Sequence, residues 1–478
     1  MSHSDQQTGA LAQSRVGTWG IIFFVISAAA PLTVVAGSFP VAFLFGGVGL
    51  PAAMLAAGIV LILFASGFTA MSRYVKNAGA FYAYAAKGLG KPAGVGIALT
   101  TLMSYIFLSV SFYGLIGFFG NITSNAVFGT DIPWWVFSAV AAVTIFVLSR
   151  SGIDVGAKVL GILLVAEVGI VLILVAAIFV TGGPEALTLE PLSPNAILSS
   201  PAPGVLFVFA FGAFLGFEGT AVYAEEAKDP NRSVPRATFG AVAFLALFYS
   251  LAAIAFVYGF GATGIMEFLT DPEGDFTALP YAMAGTFVGD WLVSAMLIMI
   301  VTSFFACLLA FHNASARYIF SMGREKLIPQ SFAATNGKGS PMQANFVLVV
   351  IAGVAIITTA VTGGDPYMVL AIGPYAMGTA GLVFAQAVAA FAVLGFFARN
   401  RRGHNVWRVL ILPGLGALGL AAAWIAIVQN FQALTGWDPS ANLWLILPVP
   451  ALFVAGILWA SIVKKQDPAR YESLVSEL

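Results

Sequence analysis

The sequence predicts an all-α membrane protein with twelve transmembrane helices, and three observations carry that reading. Hydrophobic side chains make up 60% of the 478 residues and charged ones 9%, with a mean hydropathy of +0.95; so little polar surface suits a chain solvated by lipid. Polar interruptions divide the chain into twelve apolar stretches. All 21 lysines and arginines lie in or beside alternate gaps between those stretches, a sorting that a soluble helical protein has no reason to show.

In order, the stretches run at about 17–48, 50–72, 92–120, 133–149, 157–181, 203–224, 236–260, 290–316, 342–362, 366–397, 408–432 and 440–463. Most exceed the ~20 residues that carry a helix across a ~30 Å hydrocarbon core. Arg15 precedes the first; Arg73, Lys76, Lys87 and Lys91 separate the second from the third; Arg150 and Lys158 flank the next such gap. Lys228, Arg232 and Arg236 follow the sixth, Arg317, Arg324, Lys326 and Lys338 the eighth, Arg399, Arg401, Arg402 and Arg408 the tenth, and Lys464, Lys465 and Arg470 the last. The gaps near 121–132, 182–202, 261–289, 363–365 and 433–439 hold acids such as Asp131, Glu185, Glu273 and Asp438, and no base. Cationic loops stay on the cytoplasmic side, so both termini are expected there, in a bacterial-type plasma (inner) membrane crossed an even number of times.

Several classes are excluded on the same grounds. One cysteine, Cys307, makes no disulfide framework, and with three histidines it makes no metal cluster of recognisable spacing. No cofactor, metal or nucleic-acid partner is implied, and no span carries a nucleophile–base pair for an enzyme. Gaps shorter than ~30 residues leave no room for a separate soluble domain. Residues 1–15 are polar and the apolar run after them is long, so it reads as a retained helix and not a cleaved signal.

Interruptions within the helices carry the functional reading. Span 1 places Pro31 within Ser27-Ala28-Ala29-Ala30-Pro31-Leu32-Thr33, with Gly37 and Pro40 beyond it; proline removes a backbone hydrogen bond and clashes with the preceding turn. Span 6 holds Gly212, Gly216 and Gly219 with Glu218 among them. Broken backbone is tolerated in a bilayer only where it is buried in protein or lines a wet cavity. Spans 1 and 6 hold corresponding places in two five-helix halves; five being odd, the second half enters from the opposite side, as inverted repeats around a binding site do. The competing reading is a plain kink at Pro31 and glycines that let helices pack closely. Half-helix ends offer N–H groups to a carboxylate and C=O groups to an ammonium, which suits an amino acid. Phe209, Phe211, Phe214 and Phe217 surround the second break as candidate gates or as ordinary packing.

Two carboxylates stand out. Glu167 lies near the centre of span 5, where an ionised acid costs ~2.5–3.5 kcal/mol on insertion scales. Burial favours the neutral form of a carboxyl, so Glu167 is a candidate to exchange a proton as a cavity wets and dries; the alternative is a neutral acid bonded to a neighbouring carbonyl. Glu218 is either an anion held by a half-helix N-terminus or a second protonation site. Glu225, Glu226, Lys228, Asp229, Arg232 and Arg236 form a mixed cluster, readable as a cytoplasmic gate or as a solvated loop whose ion pairs contribute little. Ser104 and Tyr105 in span 3 are further candidates, while His312 and Asn313 read as helix-packing polar groups.

Three segments resemble the amino acid–polyamine–organocation permeases. They are Gly216-Phe217-Glu218-Gly219 with Glu225 to Ala237, Asn313 to Pro329 with Ser340-Pro341, and Asn77-Ala78-Gly79-Ala80-Phe81-Tyr82-Ala83-Tyr84 with Gly88 and Gly90. The resemblance implies the leucine-transporter fold: two inverted five-helix repeats with discontinuous helices 1 and 6, plus two peripheral helices, working by alternating access. The chain then divides into a tail (1–15), a first repeat (16–181), an extracytoplasmic loop (182–202), a second repeat (203–397), peripheral helices (398–463) and a tail (464–478). Carried over by position, substrate contacts fall on Ala30, Pro31, Leu32, Thr33, Phe211, Gly212, Phe214, Gly216 and Phe217, to which Tyr105 is added. The family's usual Gly-Ser-Gly of helix 1 is Pro31-Leu32-Thr33 here, a departure from standard α-carboxylate recognition that leaves room for amines. Glu167 matches a position where some members carry a lysine proposed to replace sodium, and Gly212 stands where some relatives have an aromatic gate. The implied function is a secondary active transporter importing amino acids, with protons as coupling ion at Glu167 and Glu218. A polyamine or organic-cation importer, an exchanger, and a channel or nutrient sensor share the architecture. The expected partners are an amino acid or polyamine, protons and the lipid bilayer, with the protein a monomer or homodimer.

Overall fold

A segment that crosses hydrocarbon must satisfy its backbone hydrogen bonds within itself or within a closed barrel, and this chain takes the helical solution. The computed structural model describes residues 17–75, 81–151, 157–218, 220, 229–324, 326–336, 340–436 and 438–474, and among them every regular element is a helix. The elements up to residue 200 are α1 (Thr18–Ala29), a π-helical turn (Thr33–Ser38), α2 (Phe39–Gly46), α3 (Leu50–Met71), α4 (Phe81–Leu89), α5 (Lys91–Phe128), α6 (Trp134–Ser151), α7 (Ala157–Thr181) and the short α8 (Pro194–Leu198). Then come α9 (Pro203–Gly212), α10 (Pro230–Phe260), α11 (Ala262–Thr270), α12 (Leu279–Phe287), α13 (Asp290–Arg324) and α14 (Met342–Val361). The last are α15 (Gly373–Arg399) and α16 (Leu412–Thr435), each entered through a π-helical turn, followed by α17 (Pro439–Ile446), α18 (Pro448–Gln466) and α19 (Pro468–Ser473). Proline opens many of them, including α3, α5, α9, α10 and α18, a position where its missing N–H would be unpaired in any case.

Nine helical stretches among the described residues are long and apolar enough to cross a membrane, and Trp134–Arg150 and Pro203–Gly212 are shorter apolar helices. Together they meet all twelve apolar segments, because Thr33–Met71 runs through the first two, with Gly47 at φ 71° at the joint. Two gaps hold more structure than their polarity implies. Segment 261–289 contains α11 and α12; in α11, Ile265 and Leu269 are buried one helical turn apart, a narrow apolar stripe among acids. The gap after α3 contains α4, which buries Phe81, Tyr82 and Tyr84.

The bundle is organised around α5, whose most apolar stretch is 72% buried against 22% for α18. It packs on α13, α15 and α18, while α3 packs on α10 and α16. With lipid on one side and protein on the other, helices gain little from hydrophobicity and much from close approach, so small residues mark the crossings. Gly416 on α16 is one: a methyl there would stand 2.6 Å from the backbone N of Phe64 on α3. Gly416→Val is expected to destabilise the protein by about 1–3 kcal/mol, read as a lowered melting temperature in detergent. Gly353→Ala, where nothing lies within 4 Å, is the neutral control.

Candidate functional site

α1 stops at Ala29 because Pro31 cannot continue the hydrogen-bond ladder and its ring disfavours helical backbone at the residue before it. Ala30 accordingly takes a left-handed φ of 41°, uncommon outside glycine. Beyond it the chain widens into π-helical Thr33–Ser38, a form concentrated at functional positions. Side chains meet the backbone on both sides of this break. The Tyr249 hydroxyl on α10 donates to the Ala29 carbonyl at 3.4 Å, and the Leu32 N–H donates to the Glu167 carboxyl on α7 at 3.5 Å, both at the long edge of hydrogen bonding. The Thr33 and Ser303 hydroxyls share a 2.8 Å bond that joins this strand of the site to α13. Glu167, Thr33 and Ser303 are all buried.

The second break begins where α9 ends at Gly212. Residues 213–218 follow as tight turns, with Leu215 N bonded to Gly212 O and Phe217 N to Phe214 O, each at 3.2 Å. Gly216 sits at φ 98°, backbone that a side chain would strain. Its N–H donates to one oxygen of Glu218 at 3.1 Å, and the Tyr105 hydroxyl on α5 donates to the other at 2.9 Å. Glu218 is 3% exposed, so these donors stand in for water. Tyr105 lies edge-on to Tyr318 of α13 at 5.4 Å, and Tyr318 to Tyr82 of α4 at 5.9 Å; the three rings form a layer beside Glu218.

One residue touches both breaks. Tyr249, bonded to Ala29, packs edge-on against Phe214 at 6.3 Å. Gly212 faces the Tyr375 hydroxyl of α15 so closely that a methyl would collide with it, and the Tyr375 ring stacks on Phe209 at 5.6 Å. The structure therefore gathers Ala30, Pro31, Leu32, Thr33 and Glu167 at one break and Gly212, Phe214, Gly216, Glu218 and Tyr105 at the other. Phe217 packs on α3, 6.3 Å from Phe64 and 6.4 Å from Phe68, a helix that Phe214 also approaches at Gly58. Phe211 is buried with Phe207 as its ring neighbour at 6.2 Å. Arg232 and Arg236 are exposed, and Arg232 reaches Asp229 at only 3.8 Å with both side chains at least half exposed, an arrangement that contributes little. Glu225 and Glu226 lie outside the described residues. Tyr249, Tyr375 and Ser303 were not picked out from the sequence, and Tyr318 entered only within the Asn313 to Pro329 resemblance; the available signal was a hydroxyl in an apolar helix, which usually finds a partner when buried.

The chain matches the family described as amino acid permease over residues 16–455. It is 26% identical to the L-lysine transport protein of Corynebacterium glutamicum over 369 residues, covering 74% of this chain and 71% of that protein. It is 25% identical to the low-affinity putrescine importer PlaP of Escherichia coli K12, covering 80% and 82%. With the branched-chain amino acid permease BcaP of Lactococcus lactis it shares 24% identity, covering 86% and 88%.

Tyr105→Phe removes one donor from a buried carboxyl group, which costs about 1–3 kcal/mol when the group is left unsatisfied. A lowered melting temperature is expected for this variant, and an unchanged one would show that the hydroxyl does not hold Glu218.

Proposed function

The chain belongs to the amino acid permease family, and from that premise we propose that it is a secondary active transporter importing amino acids with protons by alternating access. The family and these relatives are transporters, not enzymes. The observation that carries the finer reading is the pairing of each helix break with a buried glutamate: Glu167 with the Leu32 N–H and Glu218 with the Gly216 N–H. A substrate carboxylate competes for those N–H groups, and a substrate ammonium is attracted to the glutamates. Protonation of a glutamate alters both interactions at once, which couples proton entry to substrate occupancy. In this reading 16–181 and 203–397 are the inverted halves, both termini are cytoplasmic, and the Tyr105–Tyr318–Tyr82 layer closes the cytoplasmic side.

A second reading, import of a polyamine or other organic cation, is favoured by one feature. Glu167 and Glu218 are buried while no lysine or arginine is buried among the described residues, so the interior carries acids without matching bases. One relative is named a putrescine importer. Uptake of radiolabelled leucine, lysine and putrescine into proteoliposomes under an imposed pH gradient separates the readings, and no accumulation of any of them above the control without protein contradicts both.

Glu167→Gln keeps the size and an acceptor for Leu32 but cannot release a proton. Uptake by the wild type is expected to rise as external pH falls, and the variant is expected to show a flat profile with normal expression; retained acid stimulation removes Glu167 from coupling. Gly216→Val places a branched side chain at φ 98° and is expected to reduce substrate binding at least ~100-fold, by analogy with a site displaced by about 1 Å. Binding of wild-type affinity in that variant would place the site elsewhere.

A further inference from the structure

Alternate-gap sorting places the bases on one face, and the fold brings several of them to one spot. Arg73 and Tyr74 follow the end of α3, while Arg402, His404 and Arg408 occupy the short connection from α15 into α16. Arg402 takes a φ of 51°, its N–H held by the Asn400 side chain at 2.8 Å. The curl lays its guanidinium over the rings of Tyr74 at 4.8 Å and Phe396 at 4.7 Å. The Tyr74 hydroxyl stands 3.0 Å from Nε2 of His404, whose ring packs against Phe397 at 5.5 Å. Burial, and then the charges of Arg408 and Arg73, hold the His404 imidazole below its usual range, so arginines from two elements act on one point. Among the described residues, no carboxylate pairs with Arg73, Arg402 or Arg408.

The height of this cluster is set by the helices around it. α3 ends at Met71 and α15 at Arg399, and Trp407, 59% exposed, opens the next helix as interfacial aromatic residues do at the headgroup level. We propose that Arg73, Arg402 and Arg408, with the Tyr74 hydroxyl, bind the phosphate of an anionic phospholipid. Guanidinium groups match phosphate oxygens in pairs, and the repulsion among like charges turns to attraction around a shared anion. The headgroup then ties the end of α3 to the entry of α16. Arg73 also donates to the Asn231 carbonyl at 3.2 Å, which extends the tie to the start of α10, the helix that carries Tyr249 to both breaks.

The test is a titration of the purified full chain in neutral detergent with dioctanoyl phosphatidylglycerol, dioctanoyl phosphatidylcholine and inorganic phosphate, read as the melting temperature. Phosphatidylglycerol is expected to raise it, and the other two are not. Each of Arg73→Gln, Arg402→Gln and Arg408→Gln is expected to weaken the apparent affinity about fivefold, the contribution of a base near an anionic surface. Lys464→Gln with Lys465→Gln, which removes two bases elsewhere on that face, leaves it unchanged. Equal protection by phosphatidylcholine, protection by inorganic phosphate alone, or an equal loss in the lysine variant overturns the proposal. Where an arginine variant does not purify, rising KCl on the wild type decides: affinity that falls with salt supports the site, and salt-independent binding overturns it.

Discussion

Backbone N–H groups released inside a low-dielectric bundle must find acceptors, at a cost of several kcal/mol each if they do not. Where the first and sixth spans break, this chain supplies a glutamate within reach of such a group. That constraint explains why two acids are buried among so many apolar residues. It also gives the acids a second property, since whatever binds the half-helix ends must displace or recruit them. On the proposed function, a structural role and a transport role are carried by the same atoms.

The breaks are held between aromatic layers. On one side Tyr105, Tyr318 and Tyr82 stack edge to face beside Glu218. Further along the first span, Phe304 stacks on Phe119 at 5.3 Å and crowds Gly37, whose carbonyl accepts the Tyr367 hydroxyl at 2.9 Å. The residues of these layers come from α4, α5, α13 and the turn before α15, so in the proposed transport cycle relative movement of these helices would open one layer or the other without breaking any helix. Alternating access on this account needs a change in ring packing and few broken hydrogen bonds.

Much of the fold was legible because lipid imposes it: length, apolar content and the sorting of bases need no tertiary information. Pro31 was legible as a deleted N–H, and Glu167 as a charge in an apolar run. The partners of those features were not, because they arrive from far along the chain. Tyr249 meets Ala29 across 220 residues, Ser303 meets Thr33 across 270, and Tyr105 meets Glu218 across 113. A helix that is apolar all round carries no periodicity to say which way a single tyrosine points. The same lack of pattern hid the partners of Phe214, which meets Tyr249 and lies beside Gly58 of α3, and of Phe217, which meets Phe64 and Phe68 of α3. Short amphipathic helices such as α11 fell below the signal of their acidic neighbours.

On the proposed function, a small amine-bearing solute sits between the two helix breaks. An experimental density map of the protein with bound lysine or putrescine tests it most directly. Ligand density is expected between Ala30–Thr33 and Gly212–Glu218, with an amine within hydrogen-bonding distance of Glu167 or Glu218. Density for the ligand at any other place, or two spans hydrogen-bonded without interruption through those residues, contradicts it.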